Sequence, residues 1–231
     1  PGSSNVLGGT FFAVKTAGRC VDDMIVRNPI AMKCAFGENP KRCYKDVNNY
    51  ARMSTASKLR EMLFKAQDYK ARKEAAGDDP LKKPAFDMKM EALIPVLEKK
   101  IPLKAHAHQA NDILTAIRIA KEFDVKMTLE HCTEGHLIVD EMVKSGFPCA
   151  VGPSFGNATK VELKNKTWAT PGILAAAGSA VSASVRRICG EGRQGSLRGA
   201  ESNHHQSGQT SGRGRPGRLP GSWKRRRRGG I

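Results

Sequence analysis

Apolar and polar positions follow two rhythms between residues 101 and 178. A short apolar run meets a turn, a stretch with apolar residues every three or four positions follows, and the pattern then repeats. The repeat is a βα unit. Strand-like runs fall at 101–106, 126–131 and 148–151. Between the first two, NDILTAIRIAKEF sets Ile113, Ile117 and Ala120 at helical spacing, with Asn111 offering an N-cap oxygen. Between the next two, TEGHLIVDEMVKSG predicts a helix with Leu137, Met142 and Val143 on one side, Thr133 as a cap and Gly146 as the stop. In TPGILAAAG, Thr170 and Pro171 read as a cap and first-turn pair.

Consecutive βα units with short loops imply parallel strands and right-handed crossovers, hence an α/β fold: an open doubly wound sheet or a closed (β/α)8 barrel. Spacing does not choose between them, but both place their chemistry at the carboxyl ends of the strands. The first hundred residues are less regular. GGTFFAVKT reads as a turn plus buried strand, and IAMKCAFGENP as a strand plus turn. STASKLREMLFKAQDYKARKEAAG reads as a long amphipathic helix closed by Gly77. FDMKMEALIPVLEKK predicts a second helix with Phe86, Met90, Leu93 and Leu97 on one face. Pro95 argues against a straight one, since an interior proline costs roughly 3 kcal/mol.

The 231 residues are 39% hydrophobic, enough for a buried core, which excludes disorder of the whole chain. Six cysteines without a Cys-x-x-Cys pair predict reduced thiols and a cytoplasmic location. No apolar run of membrane-spanning length and no secretory signal is visible, so the expectation is a soluble protein with no membrane partner. The sequence opens at Pro1 rather than Met, which reads as a cut inside a longer protein. The net charge of +17 is uneven: residues 1–178 hold 27 basic and 20 acidic side chains, residues 179–231 hold 12 and 2. Two regions follow, a folded domain over 1–178 and a low-complexity Arg/Gly-rich tail over 179–231.

Four histidines, His106, His108, His131 and His136, fall within 31 positions. His106 and His108 are two apart at one strand end and project to the same side, and His131 ends the next strand. Parallel neighbours lie about 4.8 Å apart, so these imidazoles can share a divalent ion at metal–nitrogen distances of about 2.0–2.1 Å. The competing reading is that each is a satisfied core histidine. His136, in a first helical turn, reads as a surface residue. Glu134 reads as an early-turn carboxylate suited to the helix dipole, in preference to an acid or base. A hydrolytic site also needs a carboxylate, and no strand-end aspartate stands in 101–178, because Asp124 and Asp140 fall in helix or loop.

The stretches KAHAHQANDILTAIRIAKEF, TLEHCTEGH and VGPSFGNATKVELKNKTWATPGILAAAG, with PGSSNVLGGTFFAVKT and IAMKCAFGENPKR, resemble the metal-dependent amidohydrolase superfamily in its imidazolonepropionase-related branch. The likeness spans nearly all of 1–178. It implies a (β/α)8 TIM-type barrel, here partial, with a small β-sandwich built from both chain ends. It also implies one or two divalent ions, zinc first, with manganese or iron as alternatives. His106 corresponds to the family's fifth-strand metal ligand and His131 to its sixth-strand ligand, while His108 becomes a substrate-binding candidate. The implied reaction is hydrolysis of a C–N bond in a small-molecule amide or cyclic amide by metal-activated water.

Two departures stand out. The family's paired first-strand histidines are missing, and so is its eighth-strand aspartate, because SAVSASVRRICG follows AAAG. The expectation is an inactive fragment with no assignable catalytic residue.

The tail carries 11 Gly, 11 Arg and one Lys, which cannot build a core and predict disorder. Plausible codons for Glu201 to Thr210, read one nucleotide later, give KAITINPAK, and those for Arg218 to Ile231 give VSLEAGKDADVVV. Both strings resemble the family's C-terminal signature, so the tail reads as a shifted frame. The alternative function, from another class, is non-specific nucleic-acid binding through Arg213 to Arg228. Unpaired strand edges and apolar helix faces in a partial barrel also predict poor solubility or a homo-oligomer.

Overall fold

Among the described residues, six strands lie side by side in chain order: β1 (Leu7–Val14), β2 (Ile25–Ala35), β3 (Leu103–Ala107), β4 (Met127–His131), β5 (Cys149–Val151) and β6 (Val181–Ala183). The computed structural model describes residues 2–47, 50–154 and 159–183. β1 runs antiparallel to β2, and every later neighbouring pair is parallel. Doubly wound sheets reverse their strand order at a switch point. Here the order never reverses, which is compatible with an arc of an unclosed barrel.

A single turn, α1 (Val21–Met24), sits in the connection from β1 to β2. The crossover to β3 carries α2 (Glu38–Cys43), α3 (Arg52–Ala76) and α4 (Met88–Leu97). The later crossovers carry α5 (Ala110–Glu122), α6 (Val139–Ser145) and α7 (Thr170–Ala176).

Alternation along the strands decides which side chains meet the helices. Met32 and Cys34 of β2, Leu103, Ala105 and Ala107 of β3, Met127 and Leu129 of β4, and Cys149 and Val151 of β5 are buried in one core. That core also holds Leu59 and Leu63 of α3, Leu93 of α4, Ile113 and Ile119 of α5, Met142 of α6 and Leu174 of α7. Each fully buried side chain of this size contributes about 1.5–3 kcal/mol. The intervening positions, Lys33, Lys104, His106, Thr128 and Glu130, therefore belong to the opposite face of the sheet. There the Lys104 ammonium donates to Glu130 Oε1 at 2.7 Å.

The three expected strands of 101–178 are present, each within two residues of its predicted bounds. The long helix is also present and ends at Gly77, whose φ of +52° favours glycine. Pro95 lies in the last turn of α4, where it interrupts little, and its carbonyl accepts from the N–H groups of Lys100 and Ile101 as the chain leaves the helix. Phe86 stands outside α4 and is exposed, so the apolar face of this helix is carried by Met90, Leu93 and Val96.

The segment 133–146 is not one helix. A 3-10 turn over Gly135–Leu137 is followed by α6, with Ile138 between them in a non-helical conformation. Met142 alone of the expected trio is fully buried, whereas Leu137 and Val143 are exposed. The reason is local. Thr133 and Glu134 spend their side chains on the preceding unit, Thr133 on His108 just past β3 and Glu134 on the Ala110 N–H that opens α5, instead of starting a helix. Likewise α5 begins at Ala110, with Gln109 rather than Asn111 as its N-cap residue, and α7 takes Thr170 as its first residue after Ala169. No helix among the described residues is long and apolar enough to cross a membrane. The Arg/Gly-rich composition and the shifted-frame strings lie outside the described residues.

Candidate metal centre

His106, His108 and His131 converge at the carboxyl ends of β3 and β4. Their ring centroids are 4.7 Å (106 to 108), 4.4 Å (106 to 131) and 4.7 Å (108 to 131) apart, and one ligand atom from each lies within 4.8 Å of the others. Strand register alone does not produce this. His106 pairs with Glu130, and His131 pairs with Ala107, so alternation would send the His131 ring toward the helices with Met127 and Leu129. The backbone turns instead. His131 has φ +74° and Cys132 φ +44°, the left-handed region, and the ring swings to the side of His106.

The rings are held by different partners. His131 Nδ1 lies 2.6 Å from the Gly152 carbonyl oxygen, to which it donates, leaving Nε2 for a ligand. Gly152 N–H in turn donates to the His131 carbonyl, at 3.2 Å. His106 Nε2 lies 3.4 Å from the Asn39 amide nitrogen, and His108 Nδ1 lies 2.7 Å from the Thr133 hydroxyl.

Burial, reinforced by the neighbouring imidazoles and by nearby lysines, pushes His106 down to about 2 and His108 to about 3. Burial is also the main cause that lowers His131, opposed by its bond to Gly152. All three rings are neutral near pH 7, the state in which imidazole nitrogen binds metal.

Glu162, fully buried, reaches the same place from a 3-10 turn over Val161–Leu163. Its Oε2 accepts from Glu38 N–H at 2.9 Å, and its Oε1 lies 3.7 Å from His108 Nε2 and 3.4 Å from Lys160 Nζ. Gly37 makes room for it. A Cβ there would stand 2.7 Å from Glu162 Oε2 and 3.1 Å from Asp112 Oδ2, and its φ of +81° favours glycine. The histidines open into a cleft of about 520 Å³ whose lining includes Lys33, Asn39, Lys160 and Lys166. Lys33 is 94% buried on β2, and burial lowers its pKa despite the attraction of Glu130.

The other candidates serve the scaffold. Glu134 accepts from Ala110 N–H at 2.9 Å and from the Asn165 amide at 2.7 Å, so it caps the helix of the preceding unit rather than its own. His136 is half-buried, with Nδ1 2.9 Å from the Thr170 hydroxyl. Asp140 is exposed on α6, and Asp124 pairs with Lys99 at 2.5 Å. Sequence reasoning missed Glu162, Asn39 and Lys160, because Glu162 and Lys160 come from a short 3-10 turn and its N-cap, and Asn39 from the six-residue α2, segments too short to carry a periodicity. The signal that bore on them was their place inside the stretches carrying the family likeness.

The amidohydrolase-like character of this mostly parallel sheet, with three clustered histidines at its strand ends, rests on a solved structure. The crystal structure of an amidohydrolase from Thermotoga maritima MSB8 is similar over 79% of this chain, with 40% sequence identity and a TM-score of 0.76. The chain spans 48% of the length of that protein. No protein-family profile and no curated protein sequence matches the chain.

Proposed function

We propose that the chain is part of a metal-dependent amidohydrolase acting on a C–N bond of a small-molecule amide or cyclic amide, with the described sheet forming an arc of its (β/α)8 barrel. The observation that carries this reading is the His131 ring. A left-handed backbone turns it toward His106, and the Gly152 carbonyl holds its tautomer. His106 and His131 are the metal ligands, and zinc suits neutral imidazoles, with manganese or iron as alternatives. A divalent ion held there supplies Lewis acidity to a carbonyl oxygen and acidifies water to a pKa of about 7. His108, tied to Thr133 and facing Glu162, contacts the substrate and orients it. Glu162 holds the start of α2 in place through the Glu38 N–H, with its other oxygen 3.7 Å from His108 Nε2.

Two imidazoles alone hold a divalent ion weakly. The purified chain is therefore expected to carry substoichiometric zinc or manganese that a chelator strips readily, and to turn over amides below detection. Metal content after reloading tests the assignment. His106→Ala and His131→Ala lose the metal, while His108→Ala retains it. Metal binding that survives both of the first two substitutions would sink the reading. Residues 179–231, with 12 basic and 2 acidic side chains, support a second and independent role in non-specific nucleic-acid binding.

A further inference from the structure

Three lysines, Lys33, Lys160 and Lys166, line the histidine cleft, and no aspartate or glutamate does so among the described residues. A neutral amide gives no reason for such a lining.

Lys160 is also held in place. Its ammonium donates to Asn39 Oδ1 at 2.7 Å and to Glu162 Oε1 at 3.4 Å. Both anchors are themselves fixed: Glu162 is fully buried and takes the Glu38 N–H, and Asn39 donates to Ser3 Oγ at 2.6 Å while lying 3.4 Å from His106 Nε2. An ammonium has three N–H donors, and these two acceptors engage two of them. The Lys160 side chain remains 31% exposed while lining the cleft. Its third donor sits on a charge whose position the fold has already set, so little ordering cost remains when an acceptor arrives.

We propose that Lys160 is a specificity-determining residue of the histidine cleft and that it receives an oxyanion carried by the substrate, a carboxylate or a phosphate. The reaction rests on the hydrolase reading, whereas the anion site rests on the lysines and their anchors alone. A competing account makes Lys160 only the counter-ion of Glu162, in which case its loss weakens the fold but leaves anion binding unchanged.

The test uses the full chain, treated with chelator and labelled at the histidine rings, at fixed pH. Inorganic phosphate and, separately, succinate are titrated while ring resonances are followed. The rings of His106, His108 and His131 are expected to shift saturably, and those of His204 and His205 report any binding to the basic C-terminal region independently. Lys160→Gln weakens binding at the cleft about tenfold or more, the scale of one charge-assisted hydrogen bond. Lys160→Arg stays within about threefold of the original chain. The anion with the lower Kd identifies the group as phosphate or carboxylate.

Cleft rings that stay still with both anions, or a Kd unchanged in Lys160→Gln, overturn the proposal. Should Lys160→Gln unfold, Lys160→Met with its uncharged stem of similar length replaces it in the same titration, and cleft rings of the original chain that stay still with both anions overturn the proposal without any variant. Zinc uptake is measured on the same samples after reloading. Lost uptake with intact anion binding removes the hydrolase reading alone, and the converse removes this proposal alone.

Discussion

At the scale of single residues, the site depends on one strained backbone. A side chain in the left-handed region costs about 1–3 kcal/mol, and His131 sits there with φ +74°. Glycine escapes most of that cost and alanine does not. Urea unfolding of the chelated protein is therefore expected to find His131→Gly about 1 kcal/mol more stable than His131→Ala, although both lose the same ring. Equal stabilities would mean that the turn is not strained.

The neutral rings make a second prediction. His106 and His108 fall from 6.5 to about 2 and about 3 in the folded chain, with burial the main cause. The unfolded state thus binds more protons than the folded state below pH 6.5. Stability is fully present above that pH and is lost as the pH drops toward the folded values, by about 1.4 kcal/mol per pH unit for each ring. Chemical denaturation from pH 7.5 to 4.5 measures it, and His106→Ala is expected to flatten the slope.

At the scale of elements, one arginine ties the start of α3 to the start of α5. Arg52 Nε donates to both Asp112 oxygens, at 3.1 and 3.2 Å, and its terminal nitrogen reaches Gln109 and Glu38, at 2.6 and 3.1 Å. Asp112 is nearly fully buried while Arg52 is 30% exposed. Burial, the larger effect, raises the Asp112 pKa, and Arg52 opposes it. Removing the arginine leaves a buried carboxylate unpaired. Breaking a wholly buried pair costs about 3–5 kcal/mol, and partial exposure of Arg52 places Arg52→Met below that range, at about 2–3 kcal/mol. Asp112→Asn, which leaves no buried charge, is expected to cost less than half as much by thermal or urea unfolding.

This same scale separates what was legible in the sequence from what was not. The βα rhythm was legible because Leu103, Ala105 and Ala107 alternate with polar positions, and because Ile113, Ile117 and Ala120 recur at helical spacing. The clustering of His106, His108 and His131 was legible from strand ends, but its mechanism was not. Register opposes His131, and a left-handed turn overrides it through backbone angles that no periodicity encodes. Glu134 capping α5 and Glu162 closing over His108 were hidden for a related reason. Each acts on a partner more than twenty residues away, from a turn whose local sequence suits several conformations.

At the scale of the molecule, charge separates into two systems that respond differently to salt. Lys160 and its anchors sit in a cleft, where counter-ions screen poorly. The run Arg213 to Arg228 holds eight basic side chains and no acidic one, and such a run binds phosphates by releasing condensed counter-ions from nucleic acid. If all eight engage single-stranded RNA, log Kd rises against log salt with a slope near 0.7 per contact, about 5 to 6 in total. Affinity then falls by roughly three orders of magnitude between 50 and 200 mM salt. Fluorescence anisotropy with labelled oligonucleotides of different base composition measures both the slope and the indifference to sequence. His106→Ala and Lys160→Gln are expected to leave that slope unchanged, whereas replacing the five basic residues 224–228 with serine lowers it by about 3.5. A slope that follows the cleft variants would place RNA at the histidines and break the separation. A slope that follows only the basic run makes RNA affinity a property of its charge, independent of the histidine cluster on the sheet.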